Sequence, residues 1–288
     1  MLFMAGGERA RGSAYRHGSR PYRAWWNRRA AARRRAPVII LFYHRVADDQ
    51  PTPWTCPRAL FEQEMLWAKR RFDMVSLAEA QRRIREGNPR PAVSVTFDDG
   101  YADNNDFALP LLVRERIPCT YFVSTHFVRH GVPFPHDFQR GLRFRPNTID
   151  DLRRWADEGV EIGAHTRTHA DVAQLDDPGR LRDEVVGAGE ELQQWLRRPI
   201  RYFAFPYGLP HTMTPRAFEL AYEFGYEGVC SAYGAYNFPG DDAFHLQRIH
   251  GDDDFLRFRN WLSVDPRKLR VPRYRYLDPV LEAEPATV

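Results

Sequence analysis

From residue 37 onward, seven short apolar runs alternate with longer amphipathic stretches, and this alternation restricts the fold more than any other feature of the 288-residue chain. The runs are residues 38–43, 92–97, 119–123, 160–164, 201–205, 226–230 and 244–249. Each has the length of a strand buried on both faces. Between them, "PRALFEQEMLWAKRRF" sets Leu60, Phe61, Met65, Leu66 and Ala68 on one broad helical face. "LRDEVVGAGEELQQWL" spaces Leu181, Val185, Ala188, Leu192 and Trp195 as a helix does. Further helices are expected near residues 76–86, 105–116, 148–158, 212–225 and 252–262. Strands alternating with helices predict parallel βαβ units and an α/β fold. A closed or nearly closed (β/α)7-type barrel with an outer ring of helices accounts for the order. An open doubly wound sheet is the alternative. In either, ligands gather at the C-terminal ends of the strands.

Charge divides the chain. Residues 1–36 hold ten arginines and a single acid, Glu8, whereas the whole protein has a net charge of only +4. The arm is rich in Arg and Ala, poor in aliphatic residues, and carries Trp25 and Trp26. It is expected to be disordered or to lie on an anionic membrane surface; nucleic acid is not the partner expected. No apolar h-region follows Arg28-Arg29, so no signal peptide is expected, and a cytoplasmic or inner-membrane-associated location is favoured. Residues 37–270 form the expected barrel domain and 271–288 a tail that wraps the surface. Residues 124–148, with three His and four Phe, read as a long irregular insert at the rim of the site face. Its phenylalanines are expected to form a small core of their own, and His126, His130 and His136 to border a groove. The three cysteines form no C-x-x-C pair, so no disulfide framework is expected.

The strand ends carry the chemistry. The second run ends in "TFDDG", the fourth in "GAHTRTH", the fifth in "FAFPYG" and the first in "YHRV". Asp98 and Asp99 are adjacent carboxylates that repel each other and resist leaving water. His165 and His169 stand four apart and can reach one metal ion from one side of a turn. That spacing alone equally suits two surface histidines. With a carboxylate at another strand end, two His and one Asp make a divalent site with open positions. Asp99 would then bind the metal and Asp98 would accept a proton from the metal-bound water. The cation offsets the repulsion of the pair. Adjacent strand residues face opposite ways, so a turn at Gly100 is needed to bring both carboxylates inward.

"TFDDG", "HTRTH" and "FAFPYG" resemble the first three motifs of the polysaccharide deacetylases, the NodB-homology or carbohydrate esterase family 4 enzymes, over roughly residues 37–262. The resemblance implies a distorted barrel of about seven strands, one divalent metal, and removal of acetyl groups from N-acetylated sugars. It implies Asp98 as the base, Asp99, His165 and His169 as metal ligands, and the Tyr207 backbone N–H as an oxyanion donor.

Two departures from the family pattern stand out. The arginine that the family places two residues before the proline is Ala204 here, and Arg248 is the candidate replacement. The apolar strand ending in a histidine, which closes the family's sequences, resembles "VIILFYH" at the front. This is similar to the circularly permuted poly-N-acetylglucosamine deacetylase branch. His44 is therefore the expected general acid, with His250 as the rival. Zinc is the default metal, and Co, Ni, Mn or Fe also suit the donors. The substrate expected is an N-acetylated oligo- or polysaccharide or a glycolipid. The alternatives are a barrel amidase acting on another non-peptide C–N bond, and a non-catalytic glycan-binding scaffold.

Overall fold

The computed structural model describes residues 5–251 and 254–276. Its strands are β1 (Val38–Tyr43), β2 (Arg45–Val46), β3 (Thr55–Cys56), β4 (Asp73–Met74), β5 (Ala92–Phe97), β6 (Cys119–Val123), β7 (Glu161–Ala164), β8 (Tyr202–Ala204), β9 (Gly228–Cys230), β10 (His245–Leu246) and β11 (Arg248–His250). Its longer helices are α1 (Ala5–Ala32), α2 (Arg58–Lys69), α3 (Leu77–Glu86), α4 (Ala108–Arg114), α5 (Thr125–His130), α6 (Pro135–Phe138), α7 (Ile149–Asp157), α8 (Pro178–Arg182), α9 (Ala188–Leu196), α10 (Pro215–Phe224) and α11 (Phe255–Leu262).

The main sheet runs in the order β10-β9-β8-β7-β6-β5-β1-β11, and every pairing is parallel. Its two ends meet. β10 pairs with β9, β11 pairs with β1, and a single residue, Gln247, separates β10 from β11. One continuous segment thus closes a seven-stave barrel, and the expected last strand at 244–249 is divided where it changes partner. Asn237 fixes the change: its Oδ1 accepts from Gln247 N at 2.8 Å, and its Nδ2 donates to Gln247 O at 2.8 Å.

Alternation along the strands separates two cores. Val38, Ile40, Ala92, Phe122, Tyr202, Ala204, Cys230 and Leu246 fill the barrel interior. Their neighbours Ile39, Leu41, Val93, Val95, Tyr121, Val123, Phe203 and Val229 pack outward with the helices. This is why the runs are apolar without alternation: both faces are dry.

Two expectations need correction. Residues Ala5–Ala32 form a helix rather than a disordered arm. Arg23 holds it by donating to Asn260 O and Ser263 Oγ, both at 2.8 Å, and Tyr15 by donating to Asp265 Oδ1 at 3.0 Å. These contacts span more than 230 residues of sequence and leave no local signal. The insert at 124–148 is not irregular throughout, because it contains α5 and α6. Its Phe127, Phe134 and Phe144 do cluster with Tyr101, while Phe138 is exposed. The helix expected at 252–262 is seen from Phe255; residues 252–253 lie outside the described residues, as does the tail from 277. The described part of the tail packs on the barrel's surface helices, where Tyr276 stacks on Phe218 at 4.4 Å.

Candidate active site

The inward-facing residues of each strand continue past its end. Val38, Ile40 and Phe42 lead to His44; Ala92, Ser94 and Thr96 lead to Asp98; Gly163 leads to His165; Arg248 leads to His250. Strand parity alone therefore delivers His44, Asp98, His165, Arg248 and His250 to one mouth of the barrel. The ladder continues far enough to fix them, since Asp98 N donates to Tyr43 O at 2.9 Å and His165 N to Val123 O at 3.0 Å.

Asp99 has the wrong parity for that mouth. It enters by a tight three-residue turn: Gly100 N donates back to Asp98 O at 2.9 Å, and Asp99 takes φ 73°. A non-glycine residue in this region is strained by roughly 1–3 kcal/mol and persists only where its surroundings hold it. Gly100 follows at φ 89°, and a Cβ there would meet Val123 Cγ1 at 2.8 Å. The same device recurs at Pro206-Tyr207-Gly208, where Gly208 N donates to Pro206 O at 2.6 Å and Tyr207 takes φ 61°. The Tyr207 N–H has no acceptor among the described residues, and its exposed ring lies 5.3 Å from the His169 ring.

His165 and His169 sit on a loop rather than a helix, with Thr166 at φ 55° and His169 at φ 57°. Glu184 holds this loop from below, accepting from Arg167 N at 2.9 Å, Thr168 N at 2.8 Å and Thr168 Oγ1 at 2.6 Å. Glu184 lies in a π turn, Asp183–Gly187, inserted between α8 and α9. Sequence reasoning missed it, because one acid in an amphipathic helix carries no mark of such a task. His165 Nδ1 lies 2.7 Å from Ala204 O, and this contact sets Nδ1 as the donor. Ala204, where the family pattern has an arginine, thus contributes its carbonyl.

His165 Nε2 and His169 Nε2 stand 3.5 and 3.2 Å from Asp99 Oδ1. That oxygen is buried and has no hydrogen-bond partner of good geometry among the described residues. With Nδ1 of His165 protonated, a neutral ring turns a lone pair toward the carboxylate. A cation between them relieves the repulsion of lone pairs that face one another at this spacing. One ligand atom from each of Asp99, His165 and His169 falls within a 4.8 Å cluster, and the mixed N and O donors suit a divalent ion. Burial would raise the Asp99 pKa, but the facing His169 and His165 hold it well below the usual carboxylate range. Burial would lower that of His169, and the Asp99 charge raises it instead.

Asp98 is clamped by Arg248. Nη1 donates to Oδ1 at 2.7 Å and Nη2 to Oδ2 at 2.8 Å. Arg248 is itself fully buried, donates to Thr96 Oγ1 at 3.0 Å and Ser231 O at 2.9 Å, and lies over the Phe42 ring. Burial opposes ionisation of Asp98, and the guanidinium more than compensates, keeping its pKa below the ordinary value. The His44 and His250 rings stand 5.5 Å apart. Burial lowers the pKa of His44, against the pull of Asp99 and Asp98, and its Nδ1 is buried without a partner. Both histidines line a cavity of about 350 Å³ together with Trp54, Cys56 and Trp261. His126 and His130 pack on each other at 4.6 Å and are exposed; of the insert's three histidines, His136 is the one whose ring reaches His169, at 5.6 Å.

The family model for polysaccharide deacetylase matches residues 85–229, half of the chain, and takes in "TFDDG", "HTRTH" and "FAFPYG". The chain belongs to the polysaccharide deacetylase family. A chitooligosaccharide deacetylase of Bradyrhizobium sp. (strain ANU 289) is 27% identical over 142 residues, covering 48% of this chain and 55% of that protein. The putative polysaccharide deacetylase YxkH of Bacillus subtilis (strain 168) is 24% identical over 198 residues, covering 67% of this chain and 64% of that protein. The alignments thus span about half to two thirds of these relatives. Among solved structures, the Streptococcus pyogenes deacetylase PplD superposes with a TM-score of 0.68 at 18% identity, over 80% of this chain and 99% of its own. IcaB from Ammonifex degensii gives 0.65 at 25% identity, over 80% and 98%. The barrel of this deacetylase-family chain is therefore the family's barrel.

Removing one member of a buried ion pair leaves the other unpaired, at a cost of about 3–5 kcal/mol. Arg248→Met is accordingly expected to lose that much in urea unfolding, and Arg248→Met/Asp98→Asn to recover a large part. A loss in the single variant below about 1 kcal/mol would mean that water reaches and solvates Asp98.

Proposed function

We propose that this protein is a metal-dependent hydrolase that removes acetyl groups from an N-acetylated glycan or glycolipid. The observation that carries this reading is an ionised Asp98, gripped by Arg248, next to the Asp99–His165–His169 cluster. The relatives' names support an N-acetylated sugar as substrate. Asp99, His165 and His169 would hold the metal, zinc first, with Co, Ni, Mn or Fe also matching the donors. When bound, a divalent ion polarises an amide carbonyl and acidifies water beside it.

The chain's own residues supply the rest. Asp98 takes a proton from the attacking water as its oxygen bonds to the amide carbon. Arg248 keeps the carboxylate aimed and ionised until then. The Tyr207 N–H, turned outward by its strained backbone, donates to the carbonyl oxygen as that oxygen gains charge. His44 gives a proton to the nitrogen as the C–N bond breaks, so the sugar amine leaves neutral and acetate is released. His44 is preferred over His250 for this step because it ends the apolar strand "VIILFYH", which resembles the family's histidine-ended strand; the charges of Asp99 and Asp98 draw a proton toward it, against the burial that lowers its pKa.

Elemental analysis is expected to find about one divalent ion per chain, as a single site of this kind implies. The His165→Ala/His169→Ala variant should hold none. A metal-free wild type after exposure to Zn, Co, Ni, Mn and Fe(II) would end the hydrolase reading and favour a scaffold.

Asp98→Asn should keep the ion and lose nearly all turnover of N-acetylglucosamine oligomers. His44→Ala should slow turnover about 100- to 10,000-fold, the range of a general acid. Full activity in His44→Ala would pass that role to His250.

We also propose that α1 rests on an anionic membrane surface. No described helix is long and apolar enough to cross a membrane. Tyr22 and Trp25, 47% and 56% exposed, lie side by side with Arg29 over the Trp25 ring, and Arg28, Arg33 and Arg34 are exposed nearby. Aromatic rings and arginines together suit the headgroup layer. Co-sedimentation with phosphatidylglycerol-containing vesicles at low salt is expected, and Trp25→Ala/Arg29→Glu should weaken it. No binding to such vesicles would refute the reading.

A further inference from the structure

Outside the residues already assigned, the insert carries a buried acid whose partners, Tyr101 and His136, lie beside the site. Asp137 is fully buried, and its Oδ1 has no partner. Its Oδ2 accepts the hydroxyl of Tyr101 at 2.8 Å. The same hydroxyl oxygen lies 3.1 Å from His136 Nε2. A carboxylate can only accept, so the single proton of Tyr101 goes to Asp137. The tyrosine oxygen is then free to accept from His136, whose Nε2 also lies 3.7 Å from Asp137 Oδ2, and both contacts favour the imidazole proton on Nε2. The other ring nitrogen, Nδ1, is left as an acceptor and has no partner among the described residues.

The placement of this histidine matters as much as its tautomer. Its ring stands 5.6 Å from that of His169 on one side and 5.2 Å from that of Trp54 on the other. Trp54 lines the cavity that holds His44 and His250. His136 therefore borders the metal cluster and that cavity at once, with its side chain one-third exposed. Tyr101 is fully buried in the Phe127–Phe134–Phe144 cluster, so the hydroxyl that aims His136 is itself held rigidly. A surface histidine needs no such backing, and the burial of Asp137 is costly unless the hydrogen-bond chain serves a purpose.

We propose that His136, oriented by Tyr101 and Asp137, is a substrate-positioning residue whose Nδ1 accepts a hydrogen bond from a ring hydroxyl of the acetylated sugar. This rests on the deacetylase reading of the site. It adds that the centre selects polyhydroxylated acetamides over acyl compounds that lack a hydroxyl donor. His136 takes no proton in the reaction; it fixes the sugar so that the acetamide meets Asp98 and Tyr207.

The test compares two substrates on the metal-loaded enzyme: an N-acetylglucosamine oligomer, and 4-nitrophenyl acetate, which offers an acetyl group and no ring hydroxyl. In His136→Ala the ratio of kcat/KM for the oligomer to that for the ester is expected to fall about tenfold, chiefly through KM, as the loss of one neutral hydrogen bond implies. His136→Gln, which keeps an acceptor in reach, should restore much of it. Tyr101→Phe should lower the ratio by a smaller factor, because the imidazole remains but is no longer aimed. An unchanged ratio in His136→Ala would overturn the proposal. So would an equal loss on both substrates, which would mark damage to the metal cluster and show as lost metal. A wild type that hydrolyses the oligomer while His136→Ala keeps its ratio sinks this inference alone. A wild type that acts on the ester and on no acetylated sugar sinks the substrate reading and this inference with it.

Discussion

Two consecutive residues of a strand cannot both face one cavity unless the backbone reverses between them. Asp98 and Asp99 are such a pair, and the rest of the site depends on how the reversal is held. Asp99 accepts a left-handed backbone because Gly100 can follow it in one, with Val123 packed where a side chain would lie. Strain of this kind is not self-supporting. The seven-stave barrel supports it by fixing Asp98 N to Tyr43 O on one flank, while Asn147 N donates to Gly100 O on the other. The carboxylates then separate in function. One is neutralised by a guanidinium, and the other faces two imidazoles with an oxygen that has no hydrogen-bond partner among the described residues.

Much of this was legible in the sequence, for definite reasons. Strands buried on both faces must be apolar throughout, so their positions could be read directly. The polar residues at the ends of those runs, in "YHRV", "TFDDG" and "GAHTRTH", then stood out as one set, and the inward parity that brings His44, Asp98 and His165 to one mouth is seen in the fold. Arg248 was readable only as the candidate replacement for the arginine absent at Ala204, and the fold puts its guanidinium on Asp98. What stayed hidden depends on contacts between distant parts of the chain. The helicity of α1 could not be read from an arginine-rich segment, because its support comes from Asn260, Ser263 and Asp265. Glu184 resembled any helical acid, and its task follows from a π turn with no compositional sign. The Tyr101–Asp137–His136 chain joins the strand-end segment to the insert across 36 residues and is visible only once both are folded.

The exchange of arginine positions illustrates how a site can keep its chemistry while its parts come from elsewhere. Ala204 cannot hold the base, yet its carbonyl still orients His165. The guanidinium arrives instead from β11 on the closing stave, with two hydrogen bonds to Asp98 and a carbonyl to brace it. What the site requires is a donor fork at one point in space, and the barrel offers several staves from which to reach it.

The closure at Gln247 has a consequence for how the molecule comes into being. His44 stands on the first stave and Arg248 on the last, and they become neighbours only when the segment His245–His250 slots between β9 and β1. Until the ribosome has released that segment, the base has no clamp and the mouth has no wall on that side. Without the closing stave Asp98 would be a buried acid with no partner, so the seam that closes the barrel is also what makes the burial of the base tolerable.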